Sequence, residues 1–278
     1  MRPYRFSQVD VFASGPLTGN PLAVVHGADD LDTAGMQRFA RWTGLSETTF
    51  LLAPTDPAAD YRVRIFTPSR ELPFAGHPTL GSAYAWLSDG RPRAAGRVLQ
   101  ECGVGLVPVR VDGERLAFAA PPMTRYEPLE EDLLARITAG LGLSAEEVLD
   151  ASWLVNGPPW IGLRLASAAR VLAVGLDPRG LEGLFLGVVG PHPDGSEAQF
   201  EVRALLPGEA VPEDPVTGSL NAGLAHWLIS TGQAPDRYVA AQGTVVGAAG
   251  RVHVSRDEEA LWIGGRVAGI VAGAVALP

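Results

Sequence analysis

The feature of this 278-residue sequence that most constrains its fold is an echo between its two halves. Three short motifs of the first half recur in the second half, in the same order and at separations that differ by no more than two residues. The matched positions are Gly19 and Gly157, Arg64 and Arg203, and Pro78 and Pro215, at offsets of 138, 139 and 137 residues. Self-similarity at a fixed spacing is typical of internal repeats, so we predict two copies of one structural unit.

Strand-like and helical patterns alternate along the first half and continue into the second. The Pro121–Pro122 pair is the best candidate for a linker between the halves. We therefore predict a first half over 1–120, which the C-terminal strand 266–278 could join, and a second half over 121–278. The predicted elements are strands over 4–13, 20–26, 48–53 and 61–66, helices over 33–44, 79–87 and 129–143, and an antiparallel meander that ends at the proline pair.

The charge balance argues against nucleic acid or a membrane surface as the main partner. The formal net charge is −9 and the isoelectric point is near 5.1, whereas both of those partners attract basic patches. The first residues lack the apolar stretch of a signal peptide, and no segment approaches the roughly 20 apolar residues of a membrane span. We therefore expect a cytoplasmic protein whose partner is a small molecule.

Two residue types limit the chemistry. The sequence has no lysine, which excludes a Schiff base to a carbonyl or to pyridoxal phosphate and also a P-loop lysine. Cys102 is the single cysteine, which excludes disulfides, cysteine-rich zinc sites and a two-cysteine racemase. We expect neither a metal nor a cofactor, and we expect Cys102 to be a small buried apolar residue.

The third echo has the pattern Pro-x-x-Gly-Ser and places a Gly-Ser pair near the start of an apolar helix in each half. Unpaired N–H groups and the positive end of the helix dipole favour an anion there. Duplicated halves often bind ligands in the cleft between them. The pattern therefore predicts a substrate carboxylate held between two helix N-termini. The alternative is that each serine only caps its own helix.

His77 and Asp214 stand at corresponding places in this alignment, each directly before the proline. A residue before proline favours an extended backbone, which fixes where its side chain projects. Both side chains would then lie at the rim of the predicted cleft. The alternative is that each is an ordinary turn former. Glu213 should point away from Asp214, because neighbouring side chains of an extended chain alternate in direction.

Glu47 follows a predicted helix end at Gly44 and precedes a strongly apolar strand. A carboxylate in such surroundings would be partly desolvated, which would raise its pKa towards the range useful for a general base. The alternative is that Ser46 and Glu47 form an ordinary polar turn.

Together these segments resemble the phenazine-biosynthesis-like isomerase family of the PhzF type, which shares its fold with diaminopimelate epimerase. The resemblance implies an α/β (α+β) fold of two pseudo-symmetric domains, each a mostly antiparallel sheet wrapped around a central helix. Those helices would begin near Thr79 and Thr217. The residues that carry the resemblance are "VDVF" at 9–12, "GNPLAVV" at 19–25, "LSETTFL" at 45–51, "RIFTPSRELPFAGHPTLGSA" at 64–83 and "PEDPVTGSLNAGLA" at 212–225.

The resemblance also implies roles for individual residues. Glu47 would be the acid/base residue, and His77 and Asp214 would assist proton movement and orient the substrate. The expected substrate-binding residues are Asn20, Gly76, Thr217, Gly218 and Ser219. The related epimerases use two cysteines where this chain has Ala75 and Asp214, so thiol-based racemisation is excluded. A homodimer is compatible with the resemblance, although no residue pattern indicates one.

We therefore predict a cofactor-independent isomerase in which Glu47 moves a proton between carbons of a small carboxylated metabolite. The alternative is a non-catalytic small-molecule-binding or interaction protein that retains the fold. A hydrolase with Ser219 as nucleophile is disfavoured, because no Gly-x-Ser-x-Gly turn surrounds that serine.

Overall fold

The computed structural model describes residues 1–89, 96–209 and 211–278. It divides into two compact units, the first comprising Met1–Ala119 with Gly264–Pro278 and the second comprising Ala120–Ile263. The C-terminal strand thus belongs to the first unit. Among the described residues, no helix is long and apolar enough to cross a membrane.

The elements of the two units are listed here in chain order. The first unit contains β1 (Arg2–Val11), β2 (Asn20–Val25), α1 (Thr33–Thr43), β3 (Thr48–Leu52), β4 (Tyr61–Phe66), β5 (Glu71–Leu72), α2 (Gly76–Leu87), β6 (Arg97–Cys102), β7 (Gly105–Asp112) and β8 (Arg115–Ala119). The second contains β9 (Arg125–Pro128), α3 (Glu131–Gly140), β10 (Val148–Val155), β11 (Pro159–Leu165), α4 (Ala168–Leu172), β12 (Phe185–Pro191), β13 (Phe200–Leu205), β14 (Glu213–Asp214), α5 (Gly218–Ser230), β15 (Arg237–Gln242) and β16 (Gly250–Arg256). The last strand, β17 (Leu261–Leu277), leads back into the first unit.

The strands of the first unit close into a barrel around helix α2. Going round the barrel, β1 pairs with β2, β2 with β3, β3 with β4, β4 with β6, β6 with β7, β7 with β8, β8 with β17 and β17 with β1. The pairs β2–β3 and β4–β6 are parallel. Helix α2 contacts β1, β2, β3, β4, β6, β7 and β8. The predicted sheet around a central helix is confirmed in this unit.

Helix α2 can occupy the barrel because nearly all of its residues are apolar or small. A helix that is hydrophobic all round is stable only when it is buried on every side, and ten of its twelve residues are buried. The backbone approaches the barrel wall closely at Gly81. A Cβ atom there would lie 2.5 Å from Cδ2 of Leu22 and 3.0 Å from Cγ2 of Val9, so a larger residue would push the helix away from the wall.

The second unit repeats this topology. The pairs β10–β11, β12–β13, β13–β14 and β15–β16 are antiparallel, and β11–β12 and β13–β15 are parallel. They correspond in order and direction to β1–β2, β3–β4, β4–β5, β6–β7, β2–β3 and β4–β6. Helix α5 contacts β10, β11 and β16 and is buried along most of its length. The two units are therefore structural copies, as the echo predicts.

The structure corrects the alignment of the two copies near the central helices. Leu72 and Asp214 each end the short strand before the helix, and Gly76 and Gly218 each begin the helix. Both pairs are 142 residues apart, whereas β4 and β13 remain offset by 139, because the second unit has three more residues between its strands. His77 therefore does not correspond to Asp214, and that prediction is wrong.

The corrected alignment changes the roles of several small residues. Helix α2 begins three residues before the predicted Thr79, so Pro78 lies in its first turn and the Gly81–Ser82 pair lies inside the helix. In the second unit the prediction is right, because Thr217 is the N-cap of α5 and Gly218–Ser219 follow it. The pair that stands at the mouth of α2 is Gly76–His77.

Candidate active site

Glu47 and His77 meet at the N-terminus of α2 in the first unit. The Oε2 atom of Glu47 lies 3.3 Å from the Nε2 atom of His77. The side chain of His77 is 7% exposed and that of Glu47 is 16% exposed, so solvent reaches the carboxyl group more easily than the ring. Glu47 is placed by the turn that follows α1, which ends at Gly44 with φ of 67° as predicted. The reading of Ser46 and Glu47 as an ordinary polar turn is therefore wrong.

His77 is neutral at physiological pH. Burial lowers the pKa of its imidazole to about 3, because the charged form loses its hydration inside the barrel. A neutral ring can donate one N–H and accept at its other nitrogen. The contact with Glu47 is therefore one between a neutral imidazole and a carboxyl group, which suits proton transfer better than a fixed ion pair does.

The mouth of α2 also presents backbone N–H groups. Its N-cap is Ala75, in an extended conformation with φ of −154°, and within the described part of the chain no side chain caps this end. Gly76 and His77 are the first two helical residues, and their N–H groups precede the first hydrogen bond within the helix, from Thr79 to Ala75. An anionic group placed here would meet N–H donors and the positive end of the helix dipole.

Asp214 and Thr217 form the corresponding cluster at the mouth of α5 in the second unit. The Thr217 hydroxyl donates to Oδ2 of Asp214 at 2.5 Å. Gln242, fully buried on β15, donates through Nε2 to Oγ1 of Thr217 at 3.0 Å and accepts the Thr217 N–H through Oε1 at 3.1 Å. Because Oγ1 already accepts from Gln242, the threonine proton points to Asp214.

This arrangement around Gln242 is duplicated. Asn221 donates through Nδ2 to Oε1 of Gln242 at 2.8 Å, and in the first unit Gln100 donates through Nε2 to Oγ1 of Thr79 at 3.0 Å. Gln100 and Gln242 are 142 residues apart, as are Thr79 and Asn221. Each central helix is therefore tied to the barrel by one buried glutamine.

The sequence reading did not assign a role to these glutamines. Each is a single polar residue in an apolar strand, and only the neighbouring helix shows what it contacts. The recurrence of glutamine at the corrected offset was the available signal.

Ser219 is the second residue of α5 and is half-buried. Its Oγ accepts a hydrogen bond from Nε1 of Trp160 at 2.9 Å, and its carbonyl oxygen accepts one from Nδ2 of Asn156 at 2.9 Å. Ser82 lies inside α2 and donates to Oγ1 of Thr49 at 2.9 Å. The interpretation of both serines as helix caps is therefore wrong.

The other predicted residues take different positions. Asn20 is the first residue of β2, is fully buried and pairs with Val11. Glu213 points away from Asp214, as predicted, because it binds Arg203. Cys102 is half-buried rather than fully buried, and burial raises the pKa of its thiol.

An arginine–glutamate pair supports the short strand before each central helix. In the second unit Arg203 binds Glu213 through Nε at 3.0 Å and Nη2 at 2.7 Å, and both side chains are buried. In the first unit Arg64 binds Glu71 with the same two atoms at 2.7 and 2.6 Å, at a more exposed place. These pairs hold β14 and β5, and they fix where the chain enters α5 and α2.

Comparisons with known proteins identify relatives over nearly the whole chain. The PhzC-PhzF family model, described as phenazine biosynthesis-like protein, matches residues 9–273. The protein named antisense-enhancing sequence 1 of Schizosaccharomyces pombe is 33% identical, over 98% of this chain and 99% of its own length. Trans-2,3-dihydro-3-hydroxyanthranilate isomerase of Pseudomonas aeruginosa is 36% identical, over 91% of each chain.

The solved structures include a phenazine biosynthesis protein of the PhzF family from Enterococcus faecalis. It superposes with a TM-score of 0.82 at 26% sequence identity, over 99% of this chain and all of that one. The fold that the resemblance implied is thereby confirmed.

Proposed function

Because the chain belongs to the PhzC-PhzF family of phenazine biosynthesis-like proteins, whose relatives include a named isomerase, we propose that it is an isomerase in which Glu47 shifts a proton between two carbons of a small carboxylated substrate. The observation that carries the proposal is the 3.3 Å contact between Glu47 and the neutral, buried His77 at the mouth of α2.

In the proposed reaction Glu47 takes a proton from an activated C–H bond as its electron pair enters the substrate's π-system. The resulting negative charge is delocalised and stabilised by the N–H groups of Gly76 and His77, which are aimed at the position where it develops. The protonated Glu47 then returns the proton to a different carbon. The proton leaves and re-enters one molecule, so the step as written needs no cofactor.

His77 is well placed to support this exchange. A neutral imidazole 3.3 Å from the carboxyl group donates to Glu47 when that group is ionised and leaves it free to move a proton. In the second unit, Asp214 and Ser219 stay predicted substrate-contacting residues, with Thr217 orienting the carboxylate of Asp214.

The substrate named for the relative, trans-2,3-dihydro-3-hydroxyanthranilate, is the first compound to test. The purified protein would be incubated with it in D₂O and the products followed by NMR and mass spectrometry. We expect an isomer with deuterium at the newly formed C–H position, because the proton held by Glu47 exchanges with solvent. Small unsaturated carboxylates form the second panel. A compound that binds without isomerisation and without deuterium exchange would support the non-catalytic alternative.

A further inference from the structure

The end of β17 is unusually exposed for an apolar strand. No charged residue occurs from Val267 to Leu277. Side chains of a strand alternate between two faces, so a strand with one covered face shows alternate exposure. Here Val271, Ala272, Gly273 and Ala274 are all exposed in succession, and Val271 is 47% exposed. Neither face of this stretch is well covered.

One edge of this stretch is paired and the other is not. Val267–Leu277 pairs with β1 along its whole length. Strand β8 covers only the beginning of β17, where Gly264 packs on Ala117 and Arg266 forms an ion pair with Glu114 at 2.8 Å. Among the described residues, no strand pairs with that second edge of β17 after Arg266.

The sequence does nothing to block pairing at this edge. Soluble proteins protect exposed edge strands with lysine, other charges, proline or a bulge. This chain contains no lysine, and this stretch contains no proline before the final residue. A register shift between Gln8 and Val9 marks a bulge in the β1–β17 pair. The bulge ends before Val271, so the pairing with β1 is regular from Val271 to Leu277.

We propose that the free edge of β17 from Val271 to Leu277 is a self-association surface that pairs antiparallel with the same strand of a second copy. The stretch has its midpoint at Ala274, and a twofold axis there places Gly273 opposite Val275 and Ala272 opposite Ala276. The larger side chain of each pair thus meets a small one. Identical charged strands would repel one another across such an axis, but these are uncharged.

The second copy fits this edge better than an unrelated partner. The pairing is isologous, so each copy uses its one free β17 edge and the assembly closes as a dimer instead of growing into a fibre. Seven residues extend over roughly 23 Å, which is long enough for a continuous ladder of main-chain hydrogen bonds between the copies.

The test uses Gly273, because a Cβ atom there would meet nothing within 4 Å in a single copy. Gly273→Lys and Gly273→Glu place like charges close together across the axis without disturbing the monomer. Gly175→Lys is the matched control, since Gly175 is also exposed with nothing within 4 Å and lies in the second unit. Circular dichroism verifies that all three variants are folded.

Light scattering after size exclusion would then measure the mass of each protein at equal concentration. The wild type and Gly175→Lys are expected to be dimers, and the two Gly273 variants are expected to dissociate at least tenfold more readily. An equimolar mixture of the Gly273→Lys and Gly273→Glu variants should regain the dimer. A monomeric wild type, Gly273 variants as dimeric as the control, or a mixture no more dimeric than its components would each overturn the proposal.

Discussion

Oε2 of Glu47 approaches to within 3.3 Å of Nε2 of His77, and the two residues come from different parts of the first unit, 30 positions apart in the sequence. The helix that carries His77 is enclosed by the barrel, whereas Glu47 stands in a turn at the end of that helix. The barrel thus supplies a buried, neutral ring, and the turn supplies a carboxyl group that solvent can reach.

His77 should make the stability of the protein depend on pH. Below about pH 6.5 the unfolded chain binds a proton at this histidine, whereas the folded chain does not until about pH 3. Stability conferred by the buried neutral ring is therefore present above pH 6.5 and is lost as the pH falls towards 3, by about 1.4 kcal/mol per pH unit.

Urea unfolding of the wild type and of His77→Asn at pH 7.5 and pH 5.0 measures this effect. The wild type should lose about 2 kcal/mol more than the variant between the two pH values. Equal losses in the two proteins would show that His77 binds a proton in the folded state.

Thr217→Val should impair the second-unit cluster. The change removes the hydroxyl that donates to Asp214 and leaves Nε2 of Gln242 without one of its acceptors. We expect a stability loss of about 1–3 kcal/mol and a decrease of about tenfold in kcat/KM, the effect of one lost hydrogen bond. Thr217→Ser keeps the hydroxyl and should retain most activity. If Thr217→Val and Thr217→Ser had the same kinetics, the hydroxyl would have no role in orienting Asp214.

The duplicated arginine–glutamate pairs offer a comparison of the same contact at two depths. Glu213→Ala leaves Arg203 buried without its carboxylate and should cost about 3–5 kcal/mol. Glu71→Ala affects Arg64 at a site where the side chains are 25% and 39% exposed, and it should cost about 1 kcal/mol or less. Denaturant titrations of both variants give the two values. Similar costs would mean that burial does not set the importance of these pairs.

The repeat and most elements could be predicted from the sequence, because strand alternation and the echo are local patterns. The helix start at Gly44 and the alignment of Arg64 with Arg203 illustrate this: the end of α1 and the matching of β4 to β13 were both right. Each of these signals depends on residues that are close together in the chain.

The correspondence of His77 with Asp214 failed for a physical reason. Proline is tolerated in the first turn of a helix, where its missing N–H would have no partner, and it is equally at home in the extended segment before a helix. Pro78 takes the first place and Pro215 the second, so aligning the two prolines shifted the repeat by five residues. The pairing of Gln242 with Thr217 was likewise hidden, because it joins segments 25 residues apart through side chains alone.

The most direct test of the account is the exchange of Glu47 for glutamine, with the exposed Glu258→Gln as control. Turnover and deuterium incorporation would be measured in D₂O on the substrate that the wild type isomerises. Glutamine has nearly the shape of glutamate but cannot accept a proton from carbon. Glu47→Gln should therefore keep the wild-type unfolding transition and lose about 10²–10⁴-fold in kcat, with deuterium incorporation lost in proportion, while Glu258→Gln stays unchanged. Full turnover and full deuterium incorporation by a folded Glu47→Gln variant would contradict the assignment of Glu47 as the base.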